Sequence, residues 1–243
     1  MPRAHIVYTH PEPRSFVAAM RDTTQAALAN AGWQTSATDL HAAGFGAVAS
    51  ATDFGERASP GHLVYPLEQR HAWEHGSLAP EIANEVRAVV DADLLVLVFP
   101  VFWFSVPAQM KGWIDRVFLS GVFYGGRRVY DRGGMVGKHA LVVAALGGRE
   151  HMFGTGALHG ELTGMMRHLL QGTLGYAGFS VYEPFFAHHV PYVDDATRAG
   201  MLMRLWNELQ ALGTRPVLPM PSLQGFDDHF NPTSTTPGST TNA

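Results

Sequence analysis

Cysteine is absent from the 243-residue chain, which removes disulfides, thiolate metal sites and a cysteine nucleophile from consideration. A cationic surplus is absent too. Lys and Arg number 17 against 21 Asp and Glu, a formal charge of -4, so there is no electrostatic basis for binding nucleic acid. Long hydrophobic runs are also missing. The longest, Leu94 to Phe104, contains Pro100 and is too short to cross a bilayer, so it reads as a buried strand and its exit loop. No cleavable apolar leader precedes the first strand-like residues. With the lack of cysteine, this leads us to expect a cytoplasmic protein without membrane partners.

What is present is an alternation of strand and helix. Strands are expected at residues 5–8, 33–40, 94–99, 140–145 and 181–185. Helices are expected at residues 15–30, 80–91, 107–118, 161–170 and 194–212. Ser15 is placed to cap the first helix, with Gly32 to stop it. Runs such as LLVLVF at 94–99 have no polar alternation, so both of their faces are buried, as in a parallel sheet between helical layers. The implied fold is α/β, a doubly wound parallel five-stranded sheet in a three-layer sandwich. Residues 1–230 are read as one domain with a C-terminal extension. Residues 41–78 read as an irregular excursion with short helical pieces. The Thr-, Ser-, Pro- and Gly-rich stretch 231–243 reads as a disordered tail.

In such a sheet ligands bind beyond the C-terminal strand ends. Three segments qualify: residues 9–16, 100–106 and 146–153. The first opens a helix whose free N–H groups attract phosphate, with His10 and Ser15 beside it, although Ser15 also suits a plain N-cap. The second carries Phe102, Trp103 and Phe104, which either flank a flat ring or plug the sheet edge. The third contains Gly147 and Gly148, which permit close backbone approach or simply make a turn. His71, Glu74 and His75 fit the H-x-x-E-H pattern of one class of zinc peptidases. The pattern is short, the chain has 13 histidines and no third ligand is identifiable, so no metal is expected.

Residues 99–118, FPVFWFSVPAQMKGWIDRVF, resemble the central signature of the two-electron NAD(P)H:quinone reductases, the DT-diaphorase and modulator-of-drug-activity-B group with a flavodoxin-like fold. Further blocks match in the same order: Thr9-His10, Ser15-Phe16, Tyr130-Asp131, Gly147-Gly148, Leu158-His159-Gly160, Gly178-Phe179 and Glu183-Pro184. The resemblance covers about residues 5–230. It implies a homodimer that binds FAD rather than FMN, takes electrons from NADPH or NADH, and passes them as a pair to a quinone in a ping-pong cycle. By position it assigns His10, Ser15 and Phe16 to the phosphate and ribityl region. Pro100, Val101, Phe102, Trp103 and Phe104 would hold the flavin ring, and Leu146, Gly147 and Gly148 its polar edge. Asp115 and Arg198 would add further cofactor contacts. Trp103, Phe104, Tyr124, Gly126 and His159 would line the substrate pocket, with His159 and Phe153 at the reacting edge. Two positions depart from the mammalian members, since Phe153 and Gly126 stand where those carry tyrosines. Reductases of azo, nitro or polyketide-quinone acceptors, regulatory flavoprotein subunits of potassium-efflux systems and flavodoxin-type electron carriers share parts of this pattern. The C-terminal residues 216–230 favour the enzyme.

Overall fold

The computed structural model describes residues 1–233. From residue 234 onward, the expected tail lies outside the described residues. The strands are β1 (Arg3–Tyr8), β2 (Gln34–Asp39), β3 (Leu94–Pro100), β4 (His139–Ala145), β5 (Ser180–Val181) and β6 (Phe185–Ala187). The helices are α1 (Phe16–Asn30), α2 (Tyr65–Glu74), α3 (Pro80–Asp91), α4 (Ala108–Val117), the short α5 (Leu162–Met165) and α6 (Arg167–Leu169), and α7 (Asp195–Gln210). The strand order is β2-β1-β3-β4-β5, with β6 also on β4, and every pairing is parallel. This is the flavodoxin-like arrangement.

Side-chain alternation builds the layers. Leu95, Leu97 and Phe99 of β3, with Ala140, Val142 and Ala144 of β4, enter one core beside α3 and α4. Leu94, Val96 and Val98, with Leu141, Val143 and Ala145, enter the other beside α1 and α7. Ser15 caps α1, its Oγ accepting from the Ala18 N–H at 3.1 Å. Gly32 follows the helix with φ +86°, a left-handed value suited to glycine.

Two expected elements differ. The single last strand at 181–185 is two short ones: the Tyr182 N–H still donates to the Ala140 carbonyl of β4 at 2.9 Å, and residues 183 and 184 leave the ladder. Pro184 has no N–H to donate there. Instead the C-terminal segment runs antiparallel alongside: the Leu218 N–H donates to the Val181 carbonyl at 2.8 Å, and the Glu183 N–H to that of Pro216 at 2.9 Å. The expected helix at 161–170 breaks at Met166 (φ -89°, ψ 14°) and continues as a wider π-type turn, Leu170–Gly175. There the Thr173 hydroxyl donates to the His168 carbonyl and draws it from the helical ladder.

Residues 41–78 are tied down from outside. Arg116, 5% exposed, donates through Nε and Nη2 to both oxygens of Asp53 at 3.1 and 2.9 Å, through Nη1 to the Gly46 carbonyl at 2.8 Å, and also to Glu81. Tyr65 at the start of α2 donates its hydroxyl to the same Asp53. The excursion passes so close over α4 that a Cβ on Gly112 would lie 2.1 Å from the Ala47 carbonyl oxygen, so only glycine fits. His71 and His75 stack one turn apart on α2 with centroids 4.1 Å apart. Among the described residues, no group of three His, Asp or Glu is placed to hold a metal ion, and no helix is long and apolar enough to cross a membrane.

Candidate functional site

The C-terminal ends of β1, β3 and β4 bring the three expected loops to one cleft of about 230 Å³. His10, Ser15 and Phe16 form one wall, Pro100, Val101 and Phe102 a second, and Leu146 and Gly147 a third. Val190 and Pro191, which follow β6, close the remaining side. Sharing Ser15, Phe16, Val190 and Pro191, a second cleft of about 470 Å³ continues along α1 to Arg14 and Arg198. Phe16 and Ala19 are therefore only half-buried, because they line the clefts rather than the core.

Positive charge along this groove is partly matched: Asp195, which also lines the outer cleft, pairs with Arg198, and Glu12 pairs with Arg14. The amides opening α1 point out of the helix at its positive end, and the two arginines flank the outer cleft. Arg198 is held by the Val190 carbonyl, 3.3 Å from Nε and 3.2 Å from Nη2, and by Asp195 at 2.8 Å. At His10, the Glu12 N–H donates to Nδ1 at 3.0 Å. The Glu12 carbonyl lies 3.2 Å from the same nitrogen, so the ring is tied to the Glu12 backbone through Nδ1 whichever tautomer it holds.

Across the cleft, the Phe102 N–H donates to the Ser105 carbonyl at 3.0 Å, and the return bond is 2.9 Å. The two residues between them, Trp103 and Phe104, have φ of 51° and 55°. Such turns usually take Asn-Gly, and a left-handed conformation costs an ordinary residue about 1–2 kcal/mol. Trp103 is 96% exposed. A ring this exposed plugs no sheet edge. Ser105 Oγ, 2.9 Å from His168 Nε2, ties down the end of the turn.

Phe104 leads to a second aromatic group. Its ring centroid is 5.4 Å from His159 and 6.3 Å from Phe153, and the latter two are 5.2 Å apart. A Cβ on Gly148 would sit 2.8 Å from the Phe153 ring, so this glycine is what lets Phe153 pack there. Behind Phe153 lies His188, with ring centroids 5.5 Å apart. Burial pushes the His188 pKa down and favours the neutral ring. His159 caps no helix: α5 begins at Leu162, its N-cap is Glu161, and no side chain caps it.

Of the expected site residues, Trp103, Phe104, Gly148, Phe153 and His159 lie on or beside the site's loops without lining either cleft, and three more stand in other surroundings. Asp115 lies on the outer face of α4, paired with Lys111 at 2.7 Å. Tyr124 packs against Tyr176, centroids 5.8 Å apart, in a separate cluster with Tyr130. Gly126 is exposed with φ +56°, which a tyrosine would adopt only under strain. Conversely, Arg14, Val190 and Pro191 line the site without having been expected from sequence. The H-bonded turn that delivers the last two starts at His189 (φ 58°), a left-handed histidine with no signal in sequence.

A family model described as "Flavodoxin-like fold" matches residues 2–209. NAD(P)H dehydrogenase [quinone] 1 of Cavia porcellus is 36% identical over 210 residues, covering 84% of this chain and 76% of that one. Ribosyldihydronicotinamide dehydrogenase [quinone] of Homo sapiens is 32% identical over 215 residues, covering 88% and 93%. A solved structure from Klebsiella pneumoniae, provisionally assigned as a quinone reductase, superposes with a TM-score of 0.87 at 28% identity, covering 93% and 91%.

Proposed function

As a member of the NAD(P)H:quinone oxidoreductase family of flavodoxin-like proteins, the chain is an oxidoreductase, and we propose that it is FAD-dependent, reducing quinones with NADPH or NADH in a ping-pong cycle. The observation that carries this reading is the convergence on one cleft of the helix start at Ser15 and Phe16, of Phe102 at the foot of the strained aromatic turn, and of Gly147 from the Gly-Gly loop. The residues fit a flavin: flat apolar walls beside unused backbone donors suit its ring, and the open end of α1 suits its phosphate. The outer cleft running on to Arg14 and Arg198 supports FAD over FMN, because FMN has no adenylate to fill it.

When bound, the flavin supplies the redox chemistry, accepting a hydride from the nicotinamide and giving it up to the quinone. The protein's part is to bind, orient and stabilise charge. Trp103 and Phe104 offer faces for stacking, and Gly147 and Gly148 offer backbone to the ring's polar edge. His159 acts as the donor at the reacting edge beside Phe153. Residues 1–230 act as one flavin-binding domain in a cytoplasmic setting, with which the absence of cysteine is compatible. Gly126 in place of the pocket tyrosine of the mammalian members favours acceptors bulkier than simple quinones, including azo or polyketide-quinone compounds.

Purified protein is expected to be yellow and to release FAD on denaturation, identified by chromatography, and to oxidise NADPH with a simple quinone. Colourless protein that takes up no flavin on reconstitution would overturn the reading. Because Tyr124 and Gly126 stand away from the cleft in their own chain, we further propose a two-fold dimer in which they complete the partner's pocket. Sedimentation is expected to give a dimer, and a fully active monomer would contradict it.

A further inference from the structure

We infer that His189, which lines neither cleft, is a positioning residue that fixes the Gly147–Gly148 backbone as a hydrogen-bond donor toward the polar edge of the flavin. The inference rests on the flavin reading above. The ring Nδ1 of His189 lies 3.0 Å from the Gly147 carbonyl. A carbonyl only accepts, so Nδ1 carries the hydrogen. The His189 backbone N–H donates to the next carbonyl, that of Gly148, at 2.9 Å. Two successive carbonyls are thus turned toward one residue.

In a trans peptide the N–H points opposite to the carbonyl before it, and the described residues hold no cis bond. The Gly148 N–H therefore faces away from His189. Among the described residues it finds no acceptor, whereas the Arg149 N–H that follows is engaged by Met152 Sδ at 3.4 Å. What remains is one oriented, unused donor beside a cleft residue. Glycine pairs are the most mobile backbone available, so such a donor needs an outside clamp. The clamp is itself held rigidly: His189 is left-handed, its ring packs on Tyr192 with centroids 4.9 Å apart, and the next N–H, of Val190, donates to the Leu146 carbonyl at 3.1 Å. A donor fixed in advance serves best where negative charge develops, which for a flavin is the edge that becomes charged on reduction.

The side chain and the backbone conformation can be separated by substitution. His189→Gly keeps the left-handed backbone and its N–H but removes the Nδ1 donor. His189→Asn also tolerates the left-handed region, and its amide can donate in place of Nδ1. We expect His189→Gly to bind oxidised FAD within about threefold of the parent and reduced FAD about tenfold more weakly, as for loss of one hydrogen bond's worth of ordering. For a two-electron couple, a tenfold loss for reduced FAD alone lowers the midpoint potential by about 30 mV, and by about 15 mV if oxidised FAD also loses threefold. His189→Asn should restore the potential. FAD titration of the apoprotein by fluorescence, equilibrium redox titration of the loaded protein and thermal melts read these effects. A potential unchanged in His189→Gly, with only the melting temperature lowered, would make His189 purely structural and overturn the inference while leaving the flavin reading intact. Parent protein that binds no flavin would overturn both.

Discussion

Arg116→Met is expected to lower the stability of the fold by about 3–5 kcal/mol, the range for removing one partner of a buried ion pair. Asp53 is 1% exposed and would be left with only Tyr65 and the Ser50 N–H as donors. Burial by itself would raise the Asp53 pKa, but the bonds from Arg116, Tyr65 and Ser50 outweigh it and hold the carboxyl below its usual range. A carboxyl depressed in the folded state stabilises that state at pH values above its unfolded pKa, near 3.9, and the contribution disappears as pH falls through the folded value. The parent should therefore lose stability in acid below about pH 4 more steeply than Asp53→Asn, which has no such proton to take up. Tyr65 stays neutral throughout, because burial and the neighbouring carboxylate both push its pKa up. Urea denaturation across pH measures both effects. A midpoint for Arg116→Met equal to that of the parent would show that residues 41–78 are anchored by something else. The pair Asp53→Leu with Arg116→Met should recover much of the loss, since apolar replacement of a buried pair is often neutral or better.

His159→Ala is expected to slow reduction of the bound flavin by NADPH by about ten- to a hundredfold while leaving FAD in place. Removing one donor aimed at developing charge costs about 2.7–4 kcal/mol in well-shielded hydrolase sites. His159 is only half-buried, so water takes over part of its work and the loss falls short of that range. Phe153→Tyr tests the same chemistry from the other side. The ring already contacts His159, and a hydroxyl on it adds a second donor, so the rate should be kept or raised. Since His159 caps no helix, its removal should barely move the melting temperature. Stopped-flow reduction distinguishes the cases. An unchanged rate together with a lowered melting temperature would take His159 out of the mechanism.

The parts of the fold that are local in sequence were legible in it. The unbroken apolar runs of β3 and β4 announce a strand buried on both faces, and Ser15 and Gly32 mark helix ends by side-chain and backbone chemistry that needs no distant partner. What could not be read depends on contacts far along the chain. The division of the last strand after Tyr182 is set by residues 216–218, and the course of 41–78 by Arg116. The same holds in the site. The three loops at strand ends followed from the order of elements, and each contributes residues to one cleft, although Trp103, Phe104, Gly148 and Phe153 on them do not line it. Val190 and Pro191 did not follow from that order, because nothing in a histidine announces that it will be left-handed. Tyr124, Gly126 and Asp115 came from likeness to relatives rather than from placement along the chain, and one chain does not unite them with the cleft.

The C-terminal segment laid against Val181 and Glu183 has a consequence for the order of events during synthesis. The other margin of the sheet, β2, is short and polar and poorly suited to recruit a second molecule. At the β5 side, until Val217 and Leu218 have been made, the nascent protein carries the unmet amide of Glu183 and carbonyl of Val181, beside apolar Val181 and Phe185. Exposed pairing groups next to apolar side chains are where incomplete chains stick to one another. Completion of the last residues therefore ends a vulnerable interval, and a ribosome stalled shortly before Pro216 would release a product prone to aggregate although most of its sheet is already present.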